Sequence, residues 1–373
     1  MNILNAVGLL VAAIAARQAK PFMQLKTRDW PSLGHIQFLL AVALMISLSL
    51  GVYNNFIASN LRESSDSMIN SGIALYAVIE SAPILLAWLI VVSVWKRGRY
   101  PSILTALLLA ALFILITVGM NFSRGSRVTV LLIIVLGFQL FHQYVFRLSK
   151  LSLFALLIGS AIVFNLMTVY KHLGIQGVSS YLAGEGVPAY LDENYTNPIR
   201  IVIGDIGRSD IQASILDAQM EDRIPLAYGR TYVKALTLPL PDFIDPIPDK
   251  WSKVFVGSYA QLNIDPTSAI LYNNPSGRGS SRIYGMVGES ILNFGIFGAV
   301  LSFVIFGLLS RWAILYSIHP KGWESALIAP TISALPLFML FYDLDNIVFR
   351  LTMLLGIPGA LLLLNRLFQK RDA

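Results

Sequence analysis

Cysteine is absent from this 373-residue chain, which excludes a disulfide framework and any thiolate-ligated metal. Histidine is nearly absent, with four residues scattered along the sequence, so no metal centre and no cofactor are expected. Charge is scarce as well: Asp, Glu, Lys and Arg make up 13% of the chain, against roughly a quarter in an ordinary soluble domain. Apolar residues take that place, at 55% of the chain with a mean hydropathy of +0.66. This composition predicts an all-α, polytopic integral membrane protein. The net charge of +7 does not point to nucleic acid, because the basic residues fall between apolar runs.

Runs long enough to cross a hydrocarbon layer of roughly 30 Å lie at 35–58, 71–95, 100–121, 128–146, 151–170, 284–309, 324–342 and 347–365. A shorter run covers 3–16 and lacks a preceding basic segment, which argues against a cleaved signal peptide. Lys and Arg concentrate in alternate connections: Arg17 to Arg28, Lys96 to Arg99, Arg147 and Lys150, Arg311 and Lys321, and Arg366 to Arg371. Those connections hold fourteen basic residues against three acids, so the positive-inside rule places them in the cytoplasm. Nine spans satisfy every loop, and eight do so if residues 3–16 only lie on the membrane. The expected organisation is N-terminal spans over 1–170, one large external domain over 171–283, and C-terminal spans over 284–373. That domain carries ten basic and twelve acidic residues. Clusters such as Leu238-Pro239-Leu240-Pro241-Asp242 predict turns and short helices there.

On this topology the remaining ionisable residues gather towards the outer side. Glu289 sits about a turn and a half inside a span, where insertion of an ionisable group costs roughly 2.5 to 3.5 kcal/mol unless it faces a cavity or a partner. Asn293 follows one turn later on the same face, and Gly295 and Gly298 permit close helix approach. Glu80 lies midway through its span, either as a protonated packing residue or as a competing functional acid. Arg124 and Arg127 flank Gly125 in a tight external turn. They either snorkel to headgroups or hold an anion between two guanidiniums, for which a diphosphate is a suitable shape. Arg350 stands near Asp343 and Asp345, as an ion pair or as a further ligand. Lys171 and His172 end one span externally, and Arg278 and Arg282 lead into the next.

Three stretches resemble the bacterial O-antigen polymerases, the Wzy-type oligosaccharide repeat-unit polymerases: Ser123-Arg124-Gly125-Ser126-Arg127, Tyr228-Gly229-Arg230-Thr231-Tyr232 with the prolines up to Pro248, and Gly288-Glu289 through Asn293-Phe294-Gly295 to Gly298. Their order, with one large external loop between the first and third, carries the resemblance over most of the chain. The resemblance implies a GT-C-like architecture in the bacterial inner membrane with a site facing the periplasm. It also implies substrates linked to undecaprenyl diphosphate, transfer of a growing glycan onto a new repeat unit, and a chain-length regulator and a flippase as partners beside membrane lipids. Arg124 and Arg127, with Arg278 or Arg282, would then hold the departing diphosphate without a metal. Glu289 would accept or orient the acceptor hydroxyl, with Glu80 as the competing base. Arg230, Lys171, His172, Asn293 and Arg350 are the further candidates for glycan or phosphate contact.

Two other classes share parts of this pattern. An O-antigen ligase would use the same arginines and donor, but carries a histidine in a Gly-rich external motif; here only His172 stands at the edge of the large loop. A transporter or flippase would use arginines for binding and acids for proton coupling. Transporters commonly show repeated halves and helices broken at the midplane, whereas the charges here gather on one face beside an external domain; Glu80 near mid-membrane is the feature a transporter would want.

Overall fold

A computed structural model describes residues 33–60, 73–122, 127–149, isolated positions between 151 and 166, 176–183, 209–238, 285–318, 320 and 322–371. Every regular element among them is helical, and none is a strand. Six helices among the described residues are long and apolar enough to cross a membrane: Gly34–Tyr53, Ala77–Arg97, Ile103–Met120, Gly285–Ile318, Trp323–Leu340 and Leu344–Phe368; Thr129–Tyr144 is a shorter apolar helix. The chain is therefore a helical protein of membrane-embedded type. The run at 3–16 and most of 151–170 lie outside the described residues.

The chain divides into two compact units, one formed by 27–205 with 353–373 and the other by 206–352 with 1–26. In the first, α1 (Leu33–Asn60), α2 (Ile73–Glu80), α3 (Ala82–Arg97), α4 (Ile103–Phe122) and α5 (Arg127–Tyr144) pack together. The centre is α3, whose span is 78% buried. In lipid, tight contact rather than expulsion of water holds helices together, and the contacts here are aromatic and dense. Trp88, Phe113 and Phe141 are wholly buried, and the Phe113 and Phe141 rings meet edge to face at 5.2 Å. Gly137 makes room for Phe113, because a Cβ at that position would enter its ring. Helix α3 ends in the ordinary way for an α-helix, with Gly98 left-handed at φ 61° and its N–H donated to Val94 and Trp95 carbonyls.

The second unit holds α6 (Ser209–Met220), α7 (Arg230–Thr237), α8 (Gly285–Ile318), α9 (Trp323–Ser333), α10 (Leu335–Phe341) and α11 (Leu344–Leu351). The last apolar run continues through a π-helical turn, Thr352–Gly356, into α12 (Ile357–Arg371), which packs on α1. Helices α9 and α10 form one apolar run interrupted at Ala334, after Pro330 and before Pro336. Both α9 and α10 pack on α8. The start of α8, the end of α10 and the start of α11 meet at one end of these helices, and α6 and α7 dock at that same end, on α8 and α11. The described parts of the large hydrophilic region are thus short helices, as its turn-rich composition predicts.

Candidate functional site

The site begins with a break. Gly295 has φ 64° and ψ −151°, a backbone region that essentially only glycine occupies, so α8 is two helices joined at this residue. The sequence reading took Gly295 as a small residue for close helix approach; its conformation gives it a second job. The break also brings the next turn back on the first, and a Cβ on Gly298 would collide with the Ser290 carbonyl.

An interrupted helix orphans carbonyls, which in a membrane cost several kcal/mol each if left unpaired. The last turn of α6 and the segment between α6 and α7 supply the donors. Leu292 O accepts from Ala227 N at 3.0 Å and from Gln219 Nε2 at 3.1 Å, and Asn293 O accepts from Tyr228 N at 3.1 Å. Residues 227–230 form a tight turn, closed by the Arg230 N–H on the Ala227 carbonyl, with Tyr228 at φ 50° and Gly229 at φ 81°. Two successive positive φ values define a type I′ turn, which is why glycine stands at 229. Apolar contact backs the polar one: Ile215, Ala218, Ile224 and Ala227 form one buried cluster with Ile291, Leu292 and Ala299.

That docking carries α7 onto Glu289. Thr231 donates its hydroxyl to Glu289 Oε1 at 2.8 Å, and the Leu344 N–H at the head of α11 donates to Oε2 at 2.6 Å. Asn293 accepts from the Gly229 N–H at 2.8 Å and donates to Thr231 Oγ1 at 2.6 Å and to the Glu289 carbonyl at 2.8 Å. Tyr232 OH lies 2.6 Å from Ser290 Oγ. Glu289, Asn293 and Thr231 are all buried. The partner that sequence reasoning required for an acid inside a span is therefore a hydroxyl from the hydrophilic region and a helix N-terminus, whose free N–H groups favour a carboxylate.

A second carboxylate sits beside it. Asp343 occupies the N-cap position of α11 and is buried; its Oδ1 accepts from Asn346 Nδ2, while the Asn346 N–H is given to Asp345 Oδ1 at 2.7 Å. Asn346, Ile347 and Arg350 form the buried face of α11, and the Arg350 guanidinium lies 5.5 Å from the centre of the Tyr342 ring, within cation–π range. Helix α7 packs on α11 and buries Thr231, Lys234 and Ala235. Burial first, and the Glu289 carboxylate second, push the Tyr232 phenol above its ordinary range. Tyr232 thus keeps its proton at any physiological pH.

Of the residues singled out from sequence, Glu289, Asn293 and Arg350 belong to this one unit, and Arg230 is exposed on the first turn of α7. Glu80 belongs to the other unit, where it is buried at the end of α2. Arg127 opens α5, and its side chain lies outside the described residues, as do Arg124, Lys171, His172, Arg278 and Arg282 in full. Sequence reasoning quoted Thr231 and Tyr232 within a motif without giving them a role, and passed over Ser290, Lys234 and Asn346. The one available signal for Thr231 was its place directly after a Gly-containing turn. No protein-family model, curated protein or solved structure matches the chain.

Chemically, the arrangement presents a buried carboxylate with both oxygens oriented by donors from different elements. Such a group can receive a proton or orient a hydroxyl brought to it from the hydrophilic side.

Proposed function

We propose that the chain polymerises oligosaccharide repeat units carried on undecaprenyl diphosphate, at the periplasmic face of the bacterial inner membrane. The observation that carries this reading is Glu289, an acid at the end of an apolar helix, held by Thr231 from the large hydrophilic region. The resemblance of the Arg-Gly-Ser-Arg, Gly-Arg-Thr-Tyr and Gly-Glu stretches to Wzy-type polymerases supports it independently. In this mechanism the terminal hydroxyl of a new repeat attacks the anomeric carbon of the growing glycan, and the bond from that carbon to the diphosphate oxygen breaks. Undecaprenyl diphosphate leaves with the bonding electrons, and the hydroxyl proton passes to Glu289. Arg124 and Arg127, with Arg278 or Arg282, balance the departing charge, as electrostatic stabilisation of a leaving group requires.

Transport of a lipid-linked or anionic solute is the second reading, and the break at Gly295 favours it. Counted from Gly285 at about 1.5 Å per residue, the break lies about 15 Å along the helix, near the middle of a hydrocarbon layer of roughly 30 Å. Discontinuous helices near the midplane are a common transporter device. Against it stands the use made of the break here, since the freed carbonyls are taken by the protein's own Ala227 and Tyr228 amides.

The test is a surface-glycan gel from a strain lacking its polymerase and supplied with the matching repeat unit. Wild-type protein is expected to give a ladder, and Glu289→Gln a single repeat. No ladder with wild type overturns polymerisation. Repeat units that reach the outer face only when the gene is present point to transport, and polymer that is attached to the lipid core only with the gene points to a ligase.

A further inference from the structure

The polarity of the network around Glu289 is fixed by groups that have no choice. A backbone N–H can only donate and a backbone carbonyl can only accept. Because Gly229 N–H meets one end of the Asn293 amide and the Glu289 carbonyl meets the other, the Asn293 oxygen and nitrogen are assigned without ambiguity. The second Nδ2 hydrogen goes to Thr231 Oγ1. The single hydroxyl proton of Thr231 is then left for Glu289 Oε1, and the Leu344 N–H occupies Oε2. Two donors thus end on the carboxylate, the Thr231 hydroxyl and the Leu344 N–H.

We propose that Thr231 is a positioning residue that fixes the Glu289 carboxylate, with Asn293 setting the direction of its hydroxyl, so that the docked segment around residues 227–232 is a working part of the site. The proposal rests on Glu289 being the acting acid of the proposed polymerase. In this scheme Thr231 acts through the Glu289 carboxylate and on neither sugar nor diphosphate. Its effect is on where the carboxylate oxygen stands, and a displacement of about 1 Å at such a group can cost about a hundredfold in rate. Serine retains the hydroxyl; valine retains the shape and removes it.

The test uses the full chain in proteoliposomes with diphosphate-linked repeat units, measuring initial rates against substrate concentration for wild type, Thr231→Val and Thr231→Ser. Thr231→Val is expected to lower kcat by about tenfold to a hundredfold with KM little changed, and Thr231→Ser to recover most of the loss. Wild-type kcat in the valine variant, a change confined to KM, or a serine variant as impaired as valine would overturn the proposal. A thermal-unfolding cycle on Thr231→Val, Glu289→Ala and the double variant guards against misfolding and is independent of activity. Coupled residues lose less together than the sum of their separate losses, and additive losses would also overturn it. If wild type makes no polymer, the polymerase reading fails by itself, and the unfolding cycle still decides whether Thr231 holds Glu289.

Discussion

Both units contain an interrupted apolar helix with a glutamate beside the interruption, and they repair it in different ways. In the first unit the run from Ile73 to Arg97 pauses at Ser81, and Pro83 has no N–H to offer the Ile79 carbonyl. Ser47 Oγ lies 2.5 Å from the Val78 carbonyl and 3.2 Å from that of Ile79, and Ser81 Oγ donates to Val78 O at 2.7 Å. The donors are hydroxyls already inside the helical packing, so the repair is local. In the second unit the donors for Leu292 and Asn293 come from a separate, hydrophilic segment, as two backbone amides and the Gln219 side chain. Meeting the same need from outside brings a distant piece of chain to the acid. A break repaired within its own bundle brings no hydrophilic segment to Glu80, whereas a break repaired from without gives Glu289 a hydroxyl partner from one, Thr231.

The sharpest way to break this contrast is to neutralise each acid in turn. Glu289→Gln is expected to slow repeat addition by about a hundredfold or more, the usual scale for a general acid–base group, whereas Glu80→Gln should remain near wild type. Rates per molecule in vesicles decide it, and equal losses would restore Glu80 as the base. The next largest effect concerns the two breaks. Gly295→Ala forces a side chain into a glycine-only region, at a cost of about 1–3 kcal/mol, and should release the docked turn. A lower unfolding midpoint and faster tryptic cleavage at the exposed Arg223 and Arg230 would report both. Pro83→Ala returns a donor to Ile79 and should leave the midpoint unchanged or raise it. A larger loss at Pro83 than at Gly295 would reverse the comparison.

What was legible in the sequence follows the range of the interactions. Runs at 35–58, 100–121 and 128–146 became Leu33–Asn60, Ile103–Phe122 and Arg127–Tyr144, because a long apolar run with no place in water has few structures open to it. The Glu289 and Asn293 pair was legible too, since a spacing of four residues puts them on one face, and Asn293 Nδ2 does reach the Glu289 carbonyl. The breaks were not. Gly295 in a straight helix and Gly295 at φ 64° are the same letter, and the choice between them is made by whether another segment arrives to take the carbonyls. Thr231 and Leu344 lie 58 and 55 residues from Glu289, and no periodicity links them to it. Asp343 and Arg350 were read as neighbours, but that Asn346 joins them on one buried face of α11 required knowing where that helix begins.

The smallest expected effect separates the two repairs by pH. Tyr232→Phe removes the bond to Ser290 at 2.6 Å and should cost about 1 kcal/mol, the net worth of one such bond; Ser47→Ala should cost a similar amount. The two then diverge in alkali. Because burial and the Glu289 charge raise the phenol above its ordinary 10.0, the folded protein holds that proton more tightly than the unfolded chain. The linked stability is therefore fully present below about pH 10 and is lost as pH climbs towards the raised value. Unfolding midpoints followed upward from pH 8 should fall less steeply in Tyr232→Phe than in wild type, and Ser47→Ala should keep the wild-type slope. An alkaline slope unchanged by Tyr232→Phe would mean that α7 is held to α8 through backbone and apolar contacts alone, with the phenol adding nothing to the docking that brings Thr231 to Glu289.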